Sequence, residues 1–201
     1  MIVILDYGAG NLRSVINAVS SLGYQPCISN QPADVYKADA LILPGVGAAG
    51  DTMTNLSRLS LIEPIKDYIS QSRPFLGICI GMQILFTHTE EGNCDCLNIL
   101  PGQVRRFPEG PKIPHMGWNQ VKQKKFHPIF EGIPDNTNFY FVHSYYVTPE
   151  DRSIVAGETD YNITFCSVVV RDKLVATQFH PEKSGRDGLR FYQNFFKLAK
   201  G

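Results

Sequence analysis

Pro74-Phe75-Leu76-Gly77-Ile78-Cys79-Ile80-Gly81-Met82 decides how this chain folds: a short apolar run, a cysteine between two glycines, then a helical pattern reaching about residue 86. A buried strand that turns straight into a helix is the unit of a parallel, doubly wound sheet. The same alternation fills the rest of the first half. Ile2–Leu5 is a β-branched run closed by Asp6-Tyr7-Gly8-Ala9-Gly10. A helix follows, with Asn11 as its N-cap, Leu12, Val15, Ile16 and Val19 at helical spacing, and Gly23 at its end. Ala40–Leu43 reads as another strand, stopped by Pro44-Gly45, and residues 61–69 read as a helix. Beyond Pro101 the texture changes to strand-like runs at 104–107, 139–143, 153–156, 163–170 and 174–179, which predicts antiparallel pairing. A helix carrying Leu189, Tyr192, Phe195, Phe196 and Ala199 on one face closes the chain. With no repeat, low-complexity tract or linker, residues 1–201 are expected to form one α/β domain. Its core is a three-layer open sheet, mostly parallel, with antiparallel strands in the C-terminal half.

Composition narrows the function. The 201 residues are 43% hydrophobic and 19% charged, and 19 basic residues balance 19 acidic ones, which argues against a nucleic-acid or membrane-surface binder. The longest weakly polar run, residues 40–50, is broken by Pro44 and three glycines and is too short to cross a bilayer. The first residues lack a basic stretch and meet Asp6 early, unlike a secretory signal. Five cysteines, odd in number and irregularly spaced, predict a reduced, cytoplasmic chain without a disulfide framework. Cys94-Asp95-Cys96 lacks the spacing and the second ligand pair of a zinc site, so no metal is expected.

Gly77-Ile78-Cys79-Ile80-Gly81 is the thiol counterpart of a nucleophile elbow. Such a turn strains its middle residue and sets the thiol at a helix N-terminus, where backbone N–H groups favour thiolate. The plainer alternative is a buried structural cysteine. A nucleophile needs a base, and the chain has five histidines. His88 and His127 sit in helix-end or loop sequence, and His115, in Ile113-Pro114-His115-Met116-Gly117-Trp118, reads as part of a turn. His143 and His180 each end a strand, where active sites of open α/β sheets lie. His180 has Glu182 two residues on, a carboxylate able to hold the imidazole tautomer. The triad is therefore read as Cys79, His180 and Glu182, with His143 structural. The Ile80 N–H and the loop Gly45-Val46-Gly47 are the candidate oxyanion donors. Gly45-x-Gly47-x-x-Gly50 also matches a dinucleotide fingerprint, but the acid at the required distance, Glu63, precedes Pro64 in a helical pattern, so no cofactor is expected.

Gly77-Ile78-Cys79-Ile80-Gly81-Met82-Gln83, Pro44-Gly45-Val46-Gly47 and Gln178-Phe179-His180-Pro181-Glu182 together resemble the class I (triad) glutamine amidotransferases over nearly the whole chain. Residues 6–12, 114–119, 140–145 and 182–184 are similar to one branch of that family, the glutaminase subunits of imidazole glycerol phosphate synthases. The resemblance implies a flavodoxin-like fold and a glutaminase that forms a γ-glutamyl thioester on Cys79. It implies Gly45, Val46 and Ile80 at the oxyanion, and Gly47, Gln83, Glu91, Ser144 and Tyr145 around glutamine. It also implies a heterodimer with a (β/α)8-barrel cyclase of histidine biosynthesis that takes up the ammonia. Met116, Trp118, Asn119, Tyr140 and Lys183 match positions facing that partner. Residues 93–97, Asn-Cys-Asp-Cys-Leu, depart from the glycine-rich stretch expected after Glu91. Alternatives are a paralogous subunit feeding another synthase, such as one of surface-sugar amidination, a regulatory subunit without turnover, and a thiol peptidase of the same broad fold. The glycine-flanked Val46 predicts that the isolated subunit turns over slowly.

Overall fold

The computed structural model describes residues 1–8, 12–110 and 112–200. The first half runs β1 (Ile2–Leu5), α1 (Leu12–Ser21), β2 (Cys27–Ser29), α2 (Pro32–Lys37), β3 (Ala40–Leu43), α3 (Ala49–Arg58), α4 (Ile62–Ser70), β4 (Phe75–Ile78) and α5 (Ile80–Gln83). The second half holds β5 (His88–Thr89), β6 (Cys94–Asp95), β7 (Gly102–Arg106), β8 (His115–Gln123), β9 (Thr137–His143), β10 (Tyr145–Pro149), β11 (Val155–Tyr161), β12 (Ile163–Arg171), β13 (Leu174–Thr177) and α6 (Gly185–Lys200). The expected Asn11 cap lies outside the described residues.

Strands β2, β1, β3, β4 and β13 lie side by side and parallel, and β12 pairs antiparallel with β13. The sheet continues through β10, β7, β5 and β6, while β11 leaves β12 to pair with β8, which pairs with β9. The central strands are apolar on both faces because both are covered. Val3, Leu5, Leu41, Leu43 and Phe75 pack with Val35, Leu56, Ile65 and Tyr68 of α2, α3 and α4. Ile4, Ile42, Leu76 and Ile78 point the other way, onto Val15 and Val19 of α1 and Phe191, Tyr192 and Phe195 of α6. The mixed sheet and its flanking helices are the expected architecture.

Local departures have local causes. The helix after Cys79 stops at Gln83, since the Leu85 and Phe86 N–H groups turn to carbonyls three residues back, Met82 and Gln83. Residues 153–156 start as a single 3-10 turn over Arg152–Ile154, because the Asp151 side chain accepts from the Ser153 N–H. His115 does not lie in a turn: it opens β8 after a cis Ile113–Pro114 bond, directly opposite His143 of β9. Strand β13 ends at Thr177, and the chain crosses to β9, where the His180 N–H donates to the Tyr140 carbonyl at 2.9 Å.

Phe179, in that crossing, stacks on Phe139 and meets Phe191 of α6 edge-on, all three rings fully buried. Phe191→Ala opens a cavity in this cluster and is expected to cost about 3–5 kcal/mol, read as a lowered urea midpoint at unchanged m-value.

Candidate active site

Cys79 caps α5 with φ +53° and ψ −106°, a conformation that a side chain adopts only under strain. Its glycine neighbours are required by approach distance. A Cβ on Gly81 would lie 2.2 Å from the Leu43 carbonyl oxygen, and one on Gly77 2.6 Å from the Gly81 oxygen. A Cβ on Gly45 would overlap the Ile80 side chain at 1.7 Å, so the 44–47 loop lies tight against the residue after Cys79. The Tyr7 hydroxyl anchors that loop by donating to the Pro44 carbonyl at 2.8 Å.

The elbow opens into a cavity of about 270 Å³. Val46, Gly47, Cys79, Ile80, Gln83, Glu91, Ser144, Tyr145 and His180 line it, joined by Pro114, Val142 and His143. Gly45 stays behind Ile80, and Glu182 behind His180. The volume suits one amino acid better than a continuous peptide.

His180 Nδ1 and Glu182 Oε1 are 2.7 Å apart, and both side chains are 1% exposed. Burial pulls the His180 pKa down, but the Cys79 thiol beside it and the Glu182 carboxylate outweigh this and raise it to about 10. Its Nε2 is buried and makes no hydrogen bond of ordinary geometry, and His180 and Cys79 line the same cavity. Cys79 Sγ contacts the Val142 carbonyl at 3.9 Å and receives the Gln178 Nε2 at 3.6 Å. Gln178 in turn accepts from Gln83 Nε2 at 3.1 Å, and Gln83 also donates to the Tyr145 carbonyl at 3.0 Å. Gln178 is a site residue that the sequence reading passes over, although a fully buried amide within an apolar run is a signal for it.

Glu91 reaches the cavity on the hairpin of β5 and β6, where Gly92 and Asn93 both take positive φ. Asparagine tolerates that conformation, so the departure at residue 93 still makes the turn. Glu91 Oε2 accepts from the Ala49 N–H at 2.8 Å, which holds the carboxylate at the N-terminus of α3.

Met116 and Trp118 project from the outer face of β8, 62% and 58% exposed. A tryptophan this exposed is not a core residue. It meets Tyr140 edge-on at 6.1 Å, and Lys183 Nζ lies 5.8 Å from the Tyr140 ring. Asn119 is on the opposite face of β8, with its amide donating to the Asp160 carbonyl at 2.9 Å.

A thiol on a strained strand–helix turn, an imidazole carrying a buried carboxylate and an open cavity of amino-acid size define a thiol amidohydrolase built on an open α/β sheet. The family model of class-I glutamine amidotransferase matches residues 3–199. The chain is 56% identical over 202 residues to the imidazole glycerol phosphate synthase subunit HisH of Dehalococcoides mccartyi strain CBDB1, covering all of this chain and 98% of that one. It is 52% identical to the HisH subunit of Syntrophotalea carbinolica, covering 97% and 98%. A glutamine amidotransferase crystal structure superposes with a TM-score of 0.79 at 18% identity, covering 100% of both chains. PurLQS from Thermotoga maritima superposes with a TM-score of 0.77 at 18% identity, covering 98% and 97%. The chain belongs to the class I glutamine amidotransferase family.

Because the His180 pKa is raised, its protonation stabilises the folded chain fully below about pH 6.5, and this contribution is lost as pH rises toward 10. Glu182→Gln removes the carboxylate that is responsible for part of that rise. The melting temperature of Glu182→Gln is expected to fall less steeply than that of the native chain between pH 6.5 and 10, as scanning calorimetry at several pH values would show.

Proposed function

We propose that this chain is the glutaminase subunit of an imidazole glycerol phosphate synthase, acting as a single domain in the cytoplasm. It hydrolyses glutamine and passes the ammonia to a (β/α)8-barrel cyclase in histidine biosynthesis. The observation that carries the reading is the meeting of Cys79, with the His180–Glu182 pair behind it, in a cavity the size of one amino acid. The full-length relatives named above support the particular synthase. The free state of all five cysteines fits a reducing compartment, and among the described residues no helix is long and apolar enough to cross a membrane.

The chemistry follows from the residues. The Cys79 thiolate attacks the side-chain carbonyl carbon of glutamine, and the charge developing on oxygen is met by the Ile80 N–H and the Gly45–Val46 backbone. The C–N bond breaks as the His180 imidazolium gives its proton to the departing nitrogen, leaving a γ-glutamyl thioester. Imidazole then takes a proton from water, hydroxide adds to the thioester, and glutamate leaves as the thiolate re-forms. Glu182 stabilises the cation in both half-reactions. Gly47, Gln83, Glu91, Ser144 and Tyr145 hold the substrate, Glu91 being suited to its α-ammonium group. The released base needs a dry route, because in water at neutral pH ammonia protonates and loses its nucleophilicity.

Met116, Trp118 and Tyr140, with Lys183 one residue beyond Glu182, make the cyclase-facing surface, while Asn119, turned to the other face of β8, stands apart from it. An exposed aromatic patch flanked by a cation is what a stable protein contact uses.

Ammonia release from glutamine, measured with the chain alone and with the barrel cyclase plus its nucleotide ligand, tests the reading. Slow release alone and a large ligand-dependent rise in the mixture are expected, and Cys79→Ala should abolish both. A rate indifferent to the cyclase would point to another synthase. Trp118→Ala is expected to weaken cyclase binding about 30-fold, a loss of about 2 kcal/mol, in a titration of the two subunits.

A further inference from the structure

Two histidines outside the triad form a buried pair whose protons are fixed by their surroundings. His143 Nδ1 is 2.7 Å from the Tyr145 carbonyl oxygen, which can only accept, so Nδ1 carries the hydrogen. His143 Nε2 is then a bare acceptor, and the nitrogen 3.0 Å away, His115 Nδ1, must donate to it. That leaves His115 Nε2 bare, 3.2 Å from the Asn119 amide nitrogen. Asn119 cannot flip, because the same nitrogen donates to the Asp160 carbonyl and its Oδ1 accepts from the Gln120 N–H at 2.8 Å. The chain Asn119, His115, His143, Tyr145 therefore runs in one direction and is terminated by a carbonyl that cannot reverse it. Protonating either ring would set two N–H groups against each other. It is a strut and not a proton wire.

The strut ends at the cavity wall. The Tyr145 carbonyl takes its second hydrogen bond from Gln83, and Ser144 lies in the loop that the His143 ring closes. We infer that His143, held in one neutral tautomer by His115 and Asn119, is a positioning residue that fixes the Ser144–Tyr145 backbone against the glutamine cavity. The inference rests on the reading of that cavity as the glutamine site. The surroundings agree with neutral rings. His143 faces Phe107, Phe141 and Phe165, and His115 lies between Phe141 and Tyr161. Among the described residues, none of the hydrogen bonds to either ring comes from a carboxylate, and the charged neighbour across the cavity is His180, which repels a second cation.

Because Ser144 and Tyr145 are read as holding the substrate and take no part in the proton transfers, loss of the strut weakens ground-state and transition-state binding alike, which raises KM and spares kcat. In the cyclase-bound enzyme, His143→Leu is expected to raise the glutamine KM about tenfold with kcat within about twofold. His143→Asn, whose amide nitrogen sits where Nδ1 sat, should restore KM to within about threefold of the native value. Long-range 1H–15N correlation on the native protein should show both rings as neutral Nδ1–H tautomers from pH 5 to 9, a result independent of whether any variant folds. An unchanged KM in a folded His143→Leu enzyme would overturn the inference, as would an Nε2–H tautomer or an imidazolium at His115 or His143. Absence of glutaminase activity in the native complex would instead sink the functional reading itself.

Discussion

A left-handed backbone at Cys79 constrains everything around it. The turn brings α5 back over β4 so closely that the Gly81 backbone lies against Leu43 and Gly77. Neither position accepts a methyl group without moving a strand, and strands in the middle of a close-packed sheet do not move cheaply. Strain at one residue is thus held in place by the packing of β3, β4 and α5, and its product is a thiol aimed out of the strand ends at the base of a helix. The 44–47 loop is drawn into the same arrangement, since Gly45 lies against Ile80.

The acid–base half of the site is built differently. His180 and Glu182 lie where the chain leaves β13 and crosses to β9, and their buried pairing adds little stability compared with apolar side chains of the same volume. What stabilises the crossing is the aromatic cluster of Phe139, Phe179 and Phe191 beneath it and the Ser184 hydroxyl, which donates to the His180 carbonyl at 2.6 Å and accepts from the Tyr140 N–H at 3.0 Å.

How much of this is legible in the sequence depends on whether the cause is local. The elbow is legible because a cysteine set between glycines after an apolar run fits little besides a strained strand-to-helix turn. The pairing of His180 with Glu182 is legible because two residues joined by proline lie close in any fold. Short elements are harder to read. Helix α2 buries one residue, Val35, and α3 is sided by Ala49, Thr52 and Leu56, too small or polar a set to stand out as a stripe. His115 looks like a turn residue because Pro114 and Gly117 flank it, and only its partner strand makes it part of a sheet. The cavity wall assembled from 44–47, residue 91 and 142–145 is a tertiary fact. Sequence names its members through family likeness but does not show that Glu91 sits at the N-terminus of α3 or that Gln83 and Gln178 bridge Tyr145 to the thiol.

The histidines of the site show how neighbours, and not residue type or burial, set charge. His143 and His180 line the same cavity and both are buried. Burial lowers the pKa of each. At His143 nothing strong opposes it, since a carbonyl is a weak counterpart to a cation, and the value falls to about 3. At His180 a thiol and a carboxylate oppose it, and the value rises to about 10. The two outcomes depend on each other. A cation at His143 would repel one at His180, and would break the strut that ends on Tyr145. Separating the two titrations this widely gives the cavity a positive charge at His180 and a rigid neutral wall on the side of His143, the division that the proposed attack on a neutral amide would use.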